Sequence, residues 1–209
     1  MKILITGASG LLGKELMRYF PNAYTPSHKV FDITKPKTIK GKYGLIIHLA
    51  GYTNVAKAET DKKNCSKVNI EGTWNLVKRY PDIPFVYISS EYAINPINYY
   101  SKTKAMAEFL VELFCDNYLI IRTLFKPRPY PFDVAFADQY TRGDYSDVIA
   151  KLIAKEIKAW NRKSKTIHVG TKRKTMLELA RQTNPNVKPN SVKDIKGVNI
   201  PTDYGQKIT

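Results

Sequence analysis

Thr6-Gly7-Ala8-Ser9-Gly10-Leu11-Leu12-Gly13 spaces three glycines as G-x-x-G-x-x-G, directly after an apolar run and at the start of a helical pattern. That is where a phosphate-binding turn must sit. Gly7 would allow the sharp turn, Gly10 a close approach to a pyrophosphate, and Gly13 close packing of helix on strand. The free N–H groups from Ser9 through Leu11 and Leu12 would then hold phosphates at the positive end of the helix. A second group is Tyr100 and Lys104, four residues apart and so on one helix face. A phenol is a poor acid–base group at neutral pH, and a neighbouring ammonium is expected to lower its pKa. Ser90 closes an apolar run, at the strand end where α/β sites lie, and its hydroxyl could hold a carbonyl beside Tyr100. Together these three groups point to proton transfer next to a bound dinucleotide. An NAD site usually carries a carboxylate after its second strand. Here that region reads Pro26-Ser27-His28-Lys29, and His28 and Lys29 could meet a 2′-phosphate. NADP is therefore the expected cofactor, with NAD as the alternative.

Those groups need a scaffold. Strands are expected at Lys2–Thr6, Asn22–Thr25, Val30–Asp32, Leu45–Leu49, Phe85–Ile88 and Tyr118–Ile121, and helices at Leu11–Phe20, Lys67–Tyr80 and Tyr99–Asp116. Unbroken apolar strands alternating with amphipathic helices predict a doubly wound, parallel α/β sheet, a Rossmann fold. After residue 125 the proline-rich run Lys126–Pro131 breaks the pattern. A helix at Ser146–Trp160, a strand at Thr166–Val169, a helix at Thr175–Thr183 and a loop-like tail from Asn184 follow. The expected division is a dinucleotide-binding domain over 1–125 and a small, compressed substrate lobe over 126–209 packed on it.

Composition sets the outer bounds. The 209 residues are 43% hydrophobic and 25% charged, which excludes wholesale disorder. No apolar run approaches the ~20 residues of a membrane span, and no signal-peptide core follows Met1, so a cytoplasmic protein without a membrane partner is expected. Cys65 and Cys115 offer no disulfide framework and read as buried thiols. Net charge is +16, a field that attracts anions. No zinc-finger, basic-zipper or RNA-recognition signature accompanies it, so neither a nucleic-acid partner nor a metal centre is expected.

With these residues in place, the chain resembles the extended short-chain dehydrogenase/reductases. The glycine spacing is that family's. Asp32-Ile33 looks like its acidic motif beside the adenine, and Leu49-Ala50-Gly51 like its motif at the end of the fourth strand. Asn69-Ile70-Glu71-Gly72-Thr73 resembles its N-V-x-G-T helix, in which the Asn supports the catalytic residues. Ala50–Glu59, with Tyr52, and Ser89-Ser90-Glu91-Tyr92 are similar to segments of the dTDP-4-dehydrorhamnose reductase branch, and Pro201–Tyr204 faintly to its closing segment. The resemblance implies a nucleotide-sugar 4-keto reductase, with Tyr100 as proton donor helped by Lys104 and Ser90. It also implies cofactor contacts at Thr123 and a substrate contact at Glu91. A sugar-nucleotide epimerase or dehydratase, or a catalytically silent cofactor-binding subunit, are the alternatives. Lys126, Arg128, Arg142 and Lys172 are the cations expected to meet the substrate diphosphate. Such enzymes often dimerise through the helix carrying Tyr100, which makes a homodimer an expectation. The chain departs from the family after Arg122-Thr123, where Leu124-Phe125-Lys126-Pro127 replaces the usual Tyr-Gly pair, and its substrate lobe is much shorter.

Overall fold

The computed structural model describes residues 2–203. Tyr204, the end of the closing-segment resemblance, lies outside them. Five parallel strands form the main sheet in the order β1-β2-β3-β4-β9: Ile3–Thr6 (β1), Leu45–His48 (β2), Phe85–Ile88 (β3), Tyr118–Arg122 (β4) and Lys165–His168 (β9). The register sets Ile5 against Ile47 and Tyr87 against Ile120.

Successive side chains of a strand point to opposite faces, and here both faces are apolar. Ile5, Ile47, Val86, Leu119 and Ile121 pack against Leu11–Met17 (α1) and Ser146–Ala159 (α6). Leu4, Ile46, Phe85, Tyr87 and Ile120 pack against Gly72–Arg79 (α4) and Tyr99–Phe114 (α5). This is the doubly wound Rossmann sheet that the sequence predicts. Two short helices, Val55–Ala58 (α2) and Lys62–Ser66 (α3), lead into α4.

Two expected strands differ. Asn22–Thr25 is reduced to a single bridge, in which the Tyr24 amide donates to the Ile3 carbonyl at 2.8 Å and the Ile5 amide to the Tyr24 carbonyl at 3.0 Å. Pro21 and Pro26 bracket that segment, and proline cannot donate to a ladder. Val30–Asp32 is a turn, with the amides of Val30 and Phe31 both donating to the Ser27 carbonyl. The expected helix over Lys67–Tyr80 opens with a π-helical turn at Lys67–Glu71.

The lobe is assembled from three short pairings: Phe125–Lys126 (β5) with Asp144–Tyr145 (β8), Val134–Phe136 (β6) with Lys188–Asn190 (β11), and Tyr140–Thr141 (β7) with Lys174–Thr175 (β10). Tyr130, Tyr145, Met176, Leu179 and Val187 form its core, with Met176–Arg181 (α7) across it. The tail is therefore not wholly loop-like. Pro189 sits inside β11, a placement proline tolerates only at a sheet edge, and it hides that strand from a sequence reading. Residues 146–169 return to the main sheet as α6 and β9, so the layers do not divide at residue 125 and the lobe is built from the segments on either side of that return.

Both cysteines are free and buried. Among the described residues no helix is long and apolar enough to cross a membrane. Helix α5 presents Met106, Phe109 and Leu113 to solvent at helical spacing.

Candidate active site

A cleft of about 1190 Å³ runs across the C-terminal ends of β1 to β4. The chain leaves β1 through α1 to Tyr24 on one side and resumes at β2 on the other. That reversal is the switch point where open α/β sheets bind ligands. The glycine turn forms one wall. Gly7 has φ +72°, and a Cβ there would stand 2.5 Å from the Ala50 amide nitrogen. A Cβ on Gly13 would stand 2.4 Å from the Gly7 carbonyl oxygen. Both glycines are required by the protein itself. Gly10 is different, since a Cβ there would meet only the Gly7 oxygen, at 3.2 Å. Its bareness leaves room on the cleft side, above helix amides that no side chain caps.

His48, at the end of β2, fixes the opposite wall. It is fully buried, with Nδ1 2.7 Å from Thr6 Oγ1 and Nε2 3.1 Å from Thr73 Oγ1. Thr73 already donates its hydroxyl proton to the Asn69 carbonyl. Its oxygen must therefore accept from Nε2–H, and Thr6 must donate to Nδ1. The imidazole is held neutral, and burial pushes its pKa down to about 3, with the Lys104 charge adding to the effect. Thr6 Oγ1 in turn accepts from the Ala50 amide at 3.3 Å. The Leu49-Ala50-Gly51 turn is thus pinned against the glycine turn.

Tyr100 and Lys104 stand on the first two turns of α5. Asn98 caps that helix by accepting from the Ser101 amide at 2.8 Å, while Ser101 Oγ accepts from the Asn98 amide. Ser90 follows β3, and Tyr100, Ser90 and Lys104 all line the cleft. Burial raises the Tyr100 pKa to about 12, and a hydrogen bond with the Ser90 side chain pulls the other way. Lys104 does not lower it. The Lys104 ammonium donates to the Ile88 carbonyl at 2.9 Å and lies 4.2 Å from the Tyr87 ring centre. Burial lowers its own pKa to about 7. The expectation that Lys104 depresses the Tyr100 pKa is therefore corrected: burial dominates at the phenol, and the ammonium is bonded to the Ile88 carbonyl.

Asn69 is buried beside the cleft, in the π-helical turn. A π-turn rotates its residues relative to an α-helix and is frequent at functional sites. Asn69 Oδ1 accepts from the Tyr52 amide at 2.7 Å, and Nδ2 donates to the Tyr52 carbonyl and to Thr103 Oγ1. It ties the Gly51-Tyr52 loop to the helix carrying Tyr100. At the β1 end, Asp32 and Ile33 line the cleft. Asp32 accepts from the amide and hydroxyl of Thr34 and pairs with Lys35 at 3.2 Å, and these partners hold its pKa low against its burial. His28 lines the same end, largely exposed and 3.8 Å from Asp32. At the β4 end Thr123 lines the floor with Ser89, and the hydroxyls of both are buried without a protein partner.

The five substrate candidates divide. Lys126 lines the cleft. Glu91 does not: it is fully buried behind Ser90, accepting from Thr141 Oγ1 at 2.6 Å, with His168 Nε2 at 2.8 Å. Arg128 is turned to Asp147 at 3.2 Å and over the Tyr145 ring, outside the cleft. Arg142 and Lys172 also lie outside it. Sequence reasoning assigned no role to Tyr92, Phe132, Lys14 or Lys67, which also line the cleft. Tyr92 sits in the quoted Ser89–Tyr92 motif, which was its available signal. The lysines had none, since nothing distinguishes them from solvated surface charge.

The RmlD substrate binding domain family matches residues 1–125. A curated relative from Streptomyces antibioticus, a probable dTDP-4,6-dihydroxy-2-methyloxan-3-one 4-ketoreductase, is 26% identical, over 72% of this chain and 60% of its own length. A dTDP-4-dehydrorhamnose reductase of Mycolicibacterium smegmatis is also 26% identical, over 72% of this chain and 50% of its own length. The chain thus spans 50 to 60% of these relatives. Among solved structures, a hypothetical dTDP-4-dehydrorhamnose reductase from Sulfolobus tokodaii superposes with a TM-score of 0.81 at 26% identity, covering 98% of this chain and 91% of that one. With the glycine turn, the parallel sheet and the Ser90–Tyr100 pair on one cleft, and a match over more than half its length, the chain belongs to the RmlD substrate binding domain family of extended short-chain dehydrogenase/reductases.

Proposed function

We propose that this chain reduces the 4-keto group of a nucleotide-linked 4-keto-6-deoxy sugar with NADPH. The observation that carries the reading is that Ser90 and Tyr100 line the same cleft as the open glycine turn. The cleft fits a dinucleotide. Gly10 leaves space at bare helix amides, Ser89 and Thr123 offer unpartnered hydroxyls, and the residues after Tyr24 present His28 and no carboxylate before Asp32. Asp32, already engaged by Thr34 and Lys35, is poorly placed to select a ribose 2′-hydroxyl, which favours NADP. The printed names of the relatives, 4-ketoreductases of dTDP sugars, agree with this reading.

When bound, the cofactor supplies the hydride. The chain supplies the rest. With its pKa near 12, Tyr100 keeps its proton throughout neutral pH, the state a proton donor to a newly formed alkoxide needs. Ser90 holds that oxygen beside the phenol and orients the carbonyl before transfer. Lys104 anchors the end of β3 through the Ile88 carbonyl and stands ready to bond a ribose entering the cleft. Consumption of NADPH in the presence of a dTDP-4-keto-6-deoxy sugar tests the proposal. Tyr100→Phe is expected to lower kcat by roughly 100- to 10,000-fold.

The reading extends to assembly. A second copy covering Met106, Phe109 and Leu113 of α5 would give a homodimer. Light scattering should then return about twice the 23.9 kDa chain mass, and Phe109→Glu should return the monomer mass.

A further inference from the structure

We infer that Glu108, clamped by Arg122, is a positioning residue for Lys104: its buried carboxylate holds that side chain in the charged form that donates to the Ile88 carbonyl. The inference deepens the reductase reading, on which it rests only for the part Lys104 plays in the reaction.

Lys104 and Glu108 stand four residues apart on α5, on one helix face, and both are buried. A buried carboxylate must be paired or give up its charge. Arg122, the last residue of β4, pairs with this one. Its Nε donates to Oε1 at 3.0 Å and to Oε2 at 3.1 Å, and its Nη2 donates to Oε2 at 2.6 Å. A planar guanidinium fork fixes the carboxylate's orientation in a way that a lysine could not. Arg122 is itself set by the sheet. It stands opposite His168 on β9, and its carbonyl accepts from the Val169 amide at 3.0 Å. Thr123, which follows it, lines the floor of the cleft. The pair therefore ties the helix that carries Tyr100 and Lys104 to the strand end that carries Thr123.

The other titratable groups around Lys104 offer its ammonium no carboxylate. The Tyr87 ring of β3 lies 4.2 Å from it, and burial keeps that phenol protonated. Burial likewise keeps the Tyr100 phenol and the Cys65 thiol of α3 protonated at neutral pH, and His48 of β2 neutral. Glu108 is the charge that acts most strongly on Lys104, and it favours the ammonium against a burial that disfavours it. An amine that had lost its proton would keep only an uncharged hydrogen bond to Ile88, roughly half as strong.

Carbon-13 NMR of the full chain, labelled at lysine Cε, tests this, with Lys104→Met identifying the Lys104 resonance. In Glu108→Gln the Lys104 titration midpoint should fall by roughly one pH unit or more. Arg122→Met breaks the same bridge but leaves the carboxylate without its counter-ion, so there the midpoint should rise. A role in packing alone would move both the same way or neither. The variant combining the two substitutions leaves no charge of the bridge unpaired. It should also titrate below wild type, and it carries the comparison where thermal melting shows that a single variant does not fold. The alkaline limb of kcat at saturating NADPH should follow, to lower pH in Glu108→Gln and to higher pH in Arg122→Met. An unchanged Lys104 midpoint on loss of Glu108, or shifts of one sign in the two single variants, would overturn the assignment. Should Lys104 respond as expected in a protein that reduces no keto sugar, the coupling of Glu108 to Lys104 stands and the reductase reading falls.

Discussion

Lys104 is buried, its ammonium bonded to the Ile88 carbonyl and set over the Tyr87 ring. Its pKa near 7 in the folded chain compares with 10.5 for an ordinary lysine. Above pH 7 the unfolded chain therefore binds the proton that the folded chain has released, and the Lys104 contribution to stability rises with pH from about 7 to about 10.5, opposed above about pH 9 by the raised pKa of Cys115. The raised Tyr100 pKa acts oppositely, but only above about pH 10. Lys104→Met is expected to flatten that slope and to stabilise the protein at pH 7 by on the order of a few kcal/mol, while abolishing reduction. Denaturant melts at pH 7 and pH 9 would show it, and a melt that gained nothing at pH 7 would contradict it. The sequence made Tyr100, Lys104 and Ser90 legible as a group, because i to i+4 spacing and a strand end are local facts. It could not show which way the ammonium turns. That depends on the Ile88 carbonyl and the Tyr87 ring, which only the tertiary fold brings near.

At the scale of elements, the strand–turn–helix unit of β1 and α1 separates packing from binding. Gly7 and Gly13 stand against backbone atoms that cannot move, whereas Gly10 faces the cleft. Gly13→Ala should destabilise the fold by more than the roughly 1–3 kcal/mol usual for overpacking. Gly10→Ala should cost about 1 kcal/mol or less and instead weaken NADPH binding, read as a fluorescence titration beside a thermal melt. Equal losses of stability in the two would contradict the distinction. The glycine spacing was readable because steric demand writes directly into residue type. The strands at 22–25 and 30–32 were misread because their apolar residues pack without pairing: Phe31 is buried, but its backbone is used in a turn onto Ser27. The break in the helix at Lys67–Glu71 was invisible for a related reason. A π-turn keeps helical composition and announces itself only through the contacts of Asn69.

Over the whole molecule, the sheet and the lobe are joined behind the Ser90–Tyr100 pair. Glu91 accepts from Thr141 in the lobe and pairs with His168 on β9, so one buried carboxylate locks the turn after Ser90 to both layers. Glu91→Ala leaves those partners unmatched and should cost roughly 2–4 kcal/mol. It should also raise KM for the sugar nucleotide while leaving NADPH affinity near wild type, because the proposed cofactor contacts at the glycine turn lie on the other side of the cleft. A sequence reading placed Glu91 at the substrate through its neighbours in the Ser89–Tyr92 motif. Partners 50 and 77 residues away decide otherwise, and nothing local encodes them. The net charge of +16 becomes partly intelligible at this scale, since among the described residues five lysines and a single acid line the cleft. The most direct test of the whole account is NADPH oxidation with a dTDP-4-keto-6-deoxy sugar, measured in parallel on the wild type and Tyr100→Phe. Turnover by the wild type and its collapse in a Tyr100→Phe protein that still binds NADPH is the predicted result. Turnover that survives the loss of the phenol, or a wild type that binds NADPH and reduces no 4-keto sugar, would contradict it.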